Sequence, residues 1–185
     1  KGAIGEEFVI WLQLKTIADI GIIGMPNAGK SSLLASITSA TPKIANYKFT
    51  TLNPNLGVAM YDDKEITLAD IPGLIEGAHK GVGLGVKFLK HIERCKILLH
   101  MIDITEKNLE SAYKKIKKEL GSYSKELLKK KEIIVLNKID LLDEIETNKA
   151  LKMFKKNKKN KIFTLSIYNK KSVSQLKAEL LNHVL

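Results

Sequence analysis

Between the apolar run Ile20-Gly21-Ile22-Ile23 and the stretch Ser32-Leu33-Leu34 stands Gly24-Met25-Pro26-Asn27-Ala28-Gly29-Lys30-Ser31. A short apolar run, a loop bounded by two glycines and a helix-forming stretch make a strand–loop–helix unit, and the strand needs neighbouring parallel strands to be buried. Gly29 reaches backbone angles closed to other residues, so successive N–H groups and the positive end of the helix converge on one point. That point suits a phosphate: Lys30 reaches the terminal phosphates and the Ser31 hydroxyl can ligate Mg²⁺. Gly24, Met25, Pro26, Asn27, Ala28, Gly29, Lys30, Ser31 and Ser32 are therefore candidate nucleotide-binding residues. The loop alone fits a kinase, a motor, a transporter or a switch equally well.

Apolar runs of four to eight residues alternate with longer amphipathic stretches through most of the chain, which predicts a mostly parallel sheet with helices on both faces. Strands are expected at Ile17 to Ile23, Leu56 to Tyr61, Glu65 to Ala69, Ile97 to Ile102, Glu132 to Leu136 and Lys161 to Leu165. Helices are expected at Lys30 to Thr38, Val86 to Glu93, Lys107 to Lys130, Asn148 to Lys156 and Ser172 to Leu185. Asp62-Asp63 between two alternating runs reads as a hairpin turn. The fold class is thus α/β: a three-layer P-loop NTPase architecture with a six-stranded sheet and one antiparallel edge strand. The irregular stretches Ser39 to Asn55 and Ile71 to Gly85 are too long for simple connections and read as functional loops. Residues 1–15 break the alternation, with Gly2, Gly5 and Glu6-Glu7 leading into Phe8-Val9-Ile10-Trp11-Leu12. They read as the tail of a preceding domain, leaving 16–185 for the nucleotide-binding fold.

A chain of 185 residues with 44% hydrophobic content can bury one full core. Its apolar runs fall far short of the roughly 20 residues of a membrane span. Cys95 is the only cysteine, so no internal disulfide forms and a reducing cytoplasm fits best. Residues 105–185 hold 20 basic and 10 acidic side chains against 11 and 10 before them, within a net charge of +11. This positive field favours RNA. Yet only Arg94 is arginine, the better fork for phosphate, and a solvated lysine face accounts for the charge equally well.

Two further motifs narrow the chemistry. Asp70-Ile71-Pro72-Gly73 follows the third strand, where Asp70 can hold Mg²⁺ through its water shell and the Gly73 N–H can meet a γ-phosphate. Asn137-Lys138-Ile139-Asp140 follows the fifth strand, at the carboxyl end where open α/β sheets bind ligands. Asp140 can accept from guanine N1–H and N2–H; adenine has no donor at either place and would leave a buried carboxylate unpaired. Asn137 can bond the base and brace the loop, and the Lys138 stem can cover the ring. The final strand delivers Ser166, Ile167 and Tyr168, whose backbone can meet guanine O6. These features point to guanine and disfavour an ATPase. His79, His91, His100 and His183 lack metal-ligand spacing and read as surface or satisfied core residues, and Cys95 reads as inert.

With these motifs in order, the chain resembles the Obg family of GTPases, on the residues ADIGIIGMPNAGKSSLL (18–34), YKFTTLNPNLG (47–57) and DIPGLIEGAHKGVGLGVKFLKHIERCKILLHMID (70–103). The resemblance covers residue 17 onwards and implies a G domain, with residues 1–15 the end of an N-terminal Obg domain. It implies that Thr51, with Thr50 as the alternative and Phe49 beside them, ligates Mg²⁺ from switch I together with Ser31 and Asp70. It also implies that Gly73 to Gly85 is switch II. Many small GTPases carry a water-orienting Gln after Asp70-x-x-Gly73; here Leu74 stands, as is similar in Obg proteins, which predicts slow hydrolysis. No arginine finger is evident, and the resemblance implies that Asn27 helps bind a K⁺ ion in its stead. Lys30, Gly73 and Asn27 are the expected catalytic residues. The implied protein is a cytoplasmic, monomeric GTP/GDP switch acting with the large ribosomal subunit or its rRNA in assembly. The alternative is a GTP-dependent ribosome- or RNA-binding module whose hydrolysis is incidental. Ser166-Ile167 departs from the usual Ser-Ala; because backbone N–H groups recognise O6, little loss is expected, with some loosening of the base pocket by the bulkier Ile.

Overall fold

The computed structural model describes residues 2, 5, 7–10, 18–38, 43–44, 55–70, 92–156 and 160–184. Strands β1 (Ile20–Gly24), β5 (Ile97–Asp103) and β6 (Glu132–Asn137) are buried almost throughout, as parallel strands covered on both faces must be. They join β3 (Asn55–Tyr61), β4 (Lys64–Asp70), β7 (Lys161–Leu165) and the two-residue β2 (Lys43–Ile44) in one sheet of order β2-β3-β4-β1-β5-β6-β7. All six expected strands form. The short β2 pairs antiparallel with β3 beyond them, so the antiparallel strand lies one place in from the edge. Asp62 and Asp63 both take positive φ, 47° and 60°, the geometry of a two-residue hairpin turn whose twist matches the strands it joins.

Successive strand residues face opposite layers. Ile22, Leu99 and Val135 pack with Leu33, Leu34 and Ile37 of α1 (Lys30–Ile37) and with Leu176 and Leu180 of α5 (Lys170–Val184). Ile23 and Leu98 face Ile116 and Leu120 of α2 (Leu109–Tyr123) and Leu127 of α3 (Lys125–Lys129), while Ile134 and Leu136 face Phe154 of α4 (Glu144–Lys155). These are the three layers expected.

The helix expected over Lys107 to Lys130 divides at Ser124, which is extended (φ −150°, ψ 128°) and accepts from the Glu126 N–H. Serine competes for backbone donors and favours caps over helix interiors. Helix α4 starts four residues before the expected Asn148, because Asp143 and Glu146 form a reciprocal capping box. Of the expected helix Val86 to Glu93, residues 86–91 lie outside the described residues. Among residues 2–10, Phe8, Val9 and Ile10 are exposed by 78%, 91% and 73%, so they take no part in this core.

One feature of the core had no signal in the apolar pattern. Glu132 opens β6 and is buried, its carboxylate bonded to His100 Nδ1 (2.8 Å), Tyr113 Oη (3.1 Å), Lys117 Nζ (3.2 Å) and Asn160 Nδ2 (3.1 Å). His100 is thus a core residue, bonded through Nδ1 to Glu132 and stacked on Tyr113.

Candidate functional site

The sheet changes direction around β1, which pairs with β4 on one side and β5 on the other; the crevice beyond its carboxyl end is where such sheets bind ligands. The loop 24–29 fills that place because the chain must turn at once from β1 into α1. Two glycines make this turn sterically feasible. A Cβ on Gly24 would lie 2.2 Å from the Met101 carbonyl oxygen, and one on Gly29 (φ 94°) would lie 2.3 Å from Asn137 Nδ2. Asn27 also takes a positive φ of 62°, an arrangement that non-glycine residues adopt at a cost of about 1–2 kcal/mol. Gly29 supplies no side-chain cap to α1, so the amino end of the helix faces the cleft with its donors available to an anion.

Lys30 arches back over the loop, donating to the carbonyls of Gly24 (3.1 Å) and Met25 (3.0 Å). Burial pushes its ammonium pKa below the ordinary range, and the negative charge of Asp70 opposes the shift. Ser31 donates its hydroxyl to Asp70 Oδ2 at 2.5 Å. Asp70 ends β4, paired with Ile22 of β1, and is 2% exposed; its Oδ1 has no hydrogen-bond partner among the described residues. A hydroxyl beside a buried carboxylate with a spare oxygen is the hard-oxygen donor set that Mg²⁺ takes.

The base motif reaches the same cleft from 109 residues away in the chain. Asn137 Nδ2 donates to the Ala28 carbonyl at 2.9 Å, so the loop-bracing role expected of Asn137 is present. Lys138 takes a left-handed conformation (φ 68°, ψ 35°) and turns the chain into the short 3₁₀ segment Ile139–Leu141 that carries Asp140. A cleft of about 440 Å³ is lined by Asn27, Gly29, Lys30, Ser31 and Ser32 on the phosphate side. Asn137, Lys138, Asp140, Leu141, Ile167 and Tyr168 line its other side. A second hollow of about 540 Å³ continues past Asp140 and Tyr168 to Ser166 and Asn169. Ser166 is buried; its hydroxyl accepts from the Tyr168 N–H at 3.3 Å, and its carbonyl accepts from Asn169 N–H (3.1 Å) and Ser172 Oγ (2.9 Å). This turn presents Ile167 and the exposed Tyr168 to the cleft.

Phe49, Thr50, Thr51, Ile71, Pro72, Gly73 and Leu74 lie outside the described residues. Sequence reasoning missed Asp103, whose carboxylate pairs with Lys138 Nζ at 2.6 Å. The available signal was an acidic residue closing an otherwise apolar strand, Ile97-Leu98-Leu99-His100-Met101-Ile102-Asp103.

Residues 19–138 match the family model described as 50S ribosome-binding GTPase. The chain is 73% identical over 184 residues to a GTPase Obg of Pelagibacter ubique and 56% identical over 183 residues to that of Ehrlichia ruminantium. These matches cover 100% and 99% of the chain but 56% and 53% of the two proteins, so the chain spans about half the length of these relatives. Among solved structures, Era in complex with MgGDPNP and 16S ribosomal RNA nucleotides superposes with a TM-score of 0.71 at 24% identity, over 91% of this chain and 57% of that one, a likeness of fold. On these matches the chain belongs to the 50S ribosome-binding GTPase family, and within it is of the Obg kind.

Proposed function

We propose that residues 16–185 form a monomeric G domain that binds GTP with Mg²⁺, hydrolyses it slowly to GDP, and acts as a cytoplasmic switch on the large ribosomal subunit during its assembly. Residues 1–15, with Phe8, Val9 and Ile10 exposed, are read as the end of a separate N-terminal unit. The observation that carries the nucleotide assignment is the meeting of Asp140 with Lys30 and Ser31 around one cleft. A carboxylate there pairs with the two N–H groups on guanine's edge, and adenine offers it none.

On phosphate entry, Lys30 exchanges the carbonyls of Gly24 and Met25 for phosphate oxygens. This substitution costs little reorganisation because the ammonium already hangs over the loop. The loop N–H groups and the α1 amino terminus take the remaining charge. Ser31 and Asp70, joined by Thr51, are the proposed Mg²⁺ ligands. Bound there, Mg²⁺ neutralises charge on the phosphates. Gly73 then senses the γ-phosphate. Leu74 cannot orient water, so turnover is slow; Asn27 would hold a K⁺ ion, which would supply positive charge beside the phosphates. The family description, the rRNA in the Era complex and the excess of basic residues over 105–185 support a ribosomal partner.

Two measurements test this reading. Unlabelled ATP should fail to displace labelled GTP at concentrations where GTP does so; comparable affinities refute the base assignment. Binding to purified large subunits should differ between GDP and a non-hydrolysable GTP analogue, and equal binding refutes the switch.

A further inference from the structure

Strands β5 and β6 end side by side, with Asp103 in register with Asn137. The last residues of the two strands therefore lie side by side, and Lys138 follows directly after Asn137. There Lys138 Nζ donates to Asp103 Oδ2 at 2.6 Å. The second carboxylate oxygen is engaged as well: Oδ1 accepts from the Thr105 N–H at 3.0 Å and from Thr105 Oγ1 at 2.7 Å. With both oxygens held, the carboxylate has one orientation. The Asp103 side chain is 17% exposed and that of Lys138 31%, so the pair is partly shielded from competing water. Lys138 lines the cleft, whereas Asp103 and Thr105 do not.

Lys138 is the pivot of the base side. Its carbonyl accepts from the Leu141 N–H at 3.1 Å, closing the turn that carries Asp140, and its backbone is left-handed, a conformation that persists only where the surroundings determine it. A lysine stem free to rotate would lose that freedom on covering a base, whereas a stem tied at its tip has lost most of it beforehand.

We propose that Asp103, clamped by Thr105, is the positioning residue that holds Lys138 along the base wall of the cleft and thereby sets affinity for guanine nucleotides. The proposal rests on the reading of this cleft as a guanine-nucleotide site. Asp103 touches no nucleotide; it acts through the ammonium of Lys138. Burial pushes its carboxyl pKa up, but hydrogen bonds from Lys138 and Thr105 outweigh burial and keep it below the ordinary range, so the anchor stays charged at neutral pH.

The test is a double-mutant cycle on GDP binding to the purified chain, read by fluorescence of a labelled GDP, with thermal midpoints recorded for each variant. Asp103→Asn keeps the size of the side chain and removes its charge; it should weaken GDP binding about tenfold, and raise KM for GTP more than it lowers kcat. Lys138→Met keeps an apolar stem without the ammonium. The double variant should bind no more weakly than Lys138→Met alone, because the two residues act as one unit. A folded Asp103→Asn that binds within twofold of the unaltered chain overturns the proposal, and so do effects that multiply in the double variant. Should Asp103→Asn not fold, Thr105→Val removes one of the two clamps and should weaken binding about threefold; no change overturns the proposal. The unaltered chain is assayed against ATP first. If it shows no preference for guanine nucleotides, the site reading fails and the proposal with it; if it shows one and the variants are silent, only the proposal fails.

Discussion

Replacing Glu132 by Ala should weaken the fold far more than its place at one end of a strand implies. The Glu132 and His100 side chains are 2% and 1% exposed, and Lys117 is 19% exposed. Removing one partner of a buried ionic network costs about 3–5 kcal/mol. Lys117 can turn to water when its acceptor is lost, which favours the lower end, about 3 kcal/mol. For a domain of this size, 1 kcal/mol moves the midpoint by about 2–4 °C, so a fall of about 6–12 °C is expected. Burial pushes the Glu132 carboxyl pKa up, but hydrogen bonding and charge from His100, followed by Lys117, outweigh it and hold it below the ordinary 4.5. A lowered folded pKa contributes stability that is present above the unfolded value and lost as pH falls through the folded one. The penalty of the substitution should therefore be full at pH 7 and shrink below about pH 4.5. Calorimetric melts of both proteins at pH 7 and pH 4 measure this. Glu132 lies at the opposite end of β6 from Asn137, so GDP affinity of the folded variant should stay within twofold. A midpoint loss below 2 °C, or one equal at both pH values, would refute the network's role.

Gly29→Ala should abolish measurable GTP binding while the chain still folds, since the new Cβ meets Asn137 Nδ2 at 2.3 Å and the φ of 94° is closed to it; retained binding in calorimetric titration counts against the loop geometry. Asp140→Asn should cut GTP affinity at least about 100-fold and raise that for XTP, because an amide donates to the C2 carbonyl of xanthine where a carboxylate cannot; competition binding with both nucleotides decides it. Hydrolysis should be faster in KCl than in NaCl, and Asn27→Ala should remove the difference; equal rates in the two salts dispose of the K⁺ site.

The motifs that define the site were readable because each depends on a local property. Gly29 and Lys30 stand where a strand meets a helix, Asp70 and Asn137 each close an apolar run, and the turn at Asp62-Asp63 separates two alternating stretches. Periodicity located the expected strands for related reasons: burial on both faces writes continuous apolar runs into β1, β5 and β6, and a single buried face writes alternation into the hairpin strands β3 and β4. The cap at Ser124 and the capping box at Asp143 were also written locally, yet the longer apolar pattern obscured them. The carboxylate of Glu132 could not be read at all. Its acceptability depends on His100 of β5, Tyr113 and Lys117 of α2, and Asn160 before β7, which come from three different places in the chain.

By itself the sequence determined the phosphate loop and the order of the strands along the chain, and it carried the expectation of a guanine edge, since these follow from spacing and donor chemistry. Only the tertiary structure decided that Asn137 braces the carbonyl of Ala28, that Asp70 holds Ser31, and that Asp103 takes the tip of Lys138. Each of these contacts joins residues 35 to 109 positions apart. A chain records its near neighbours in its own order, but the register of parallel strands, which brings distant strand ends together on one rim, is set by how the whole sheet packs.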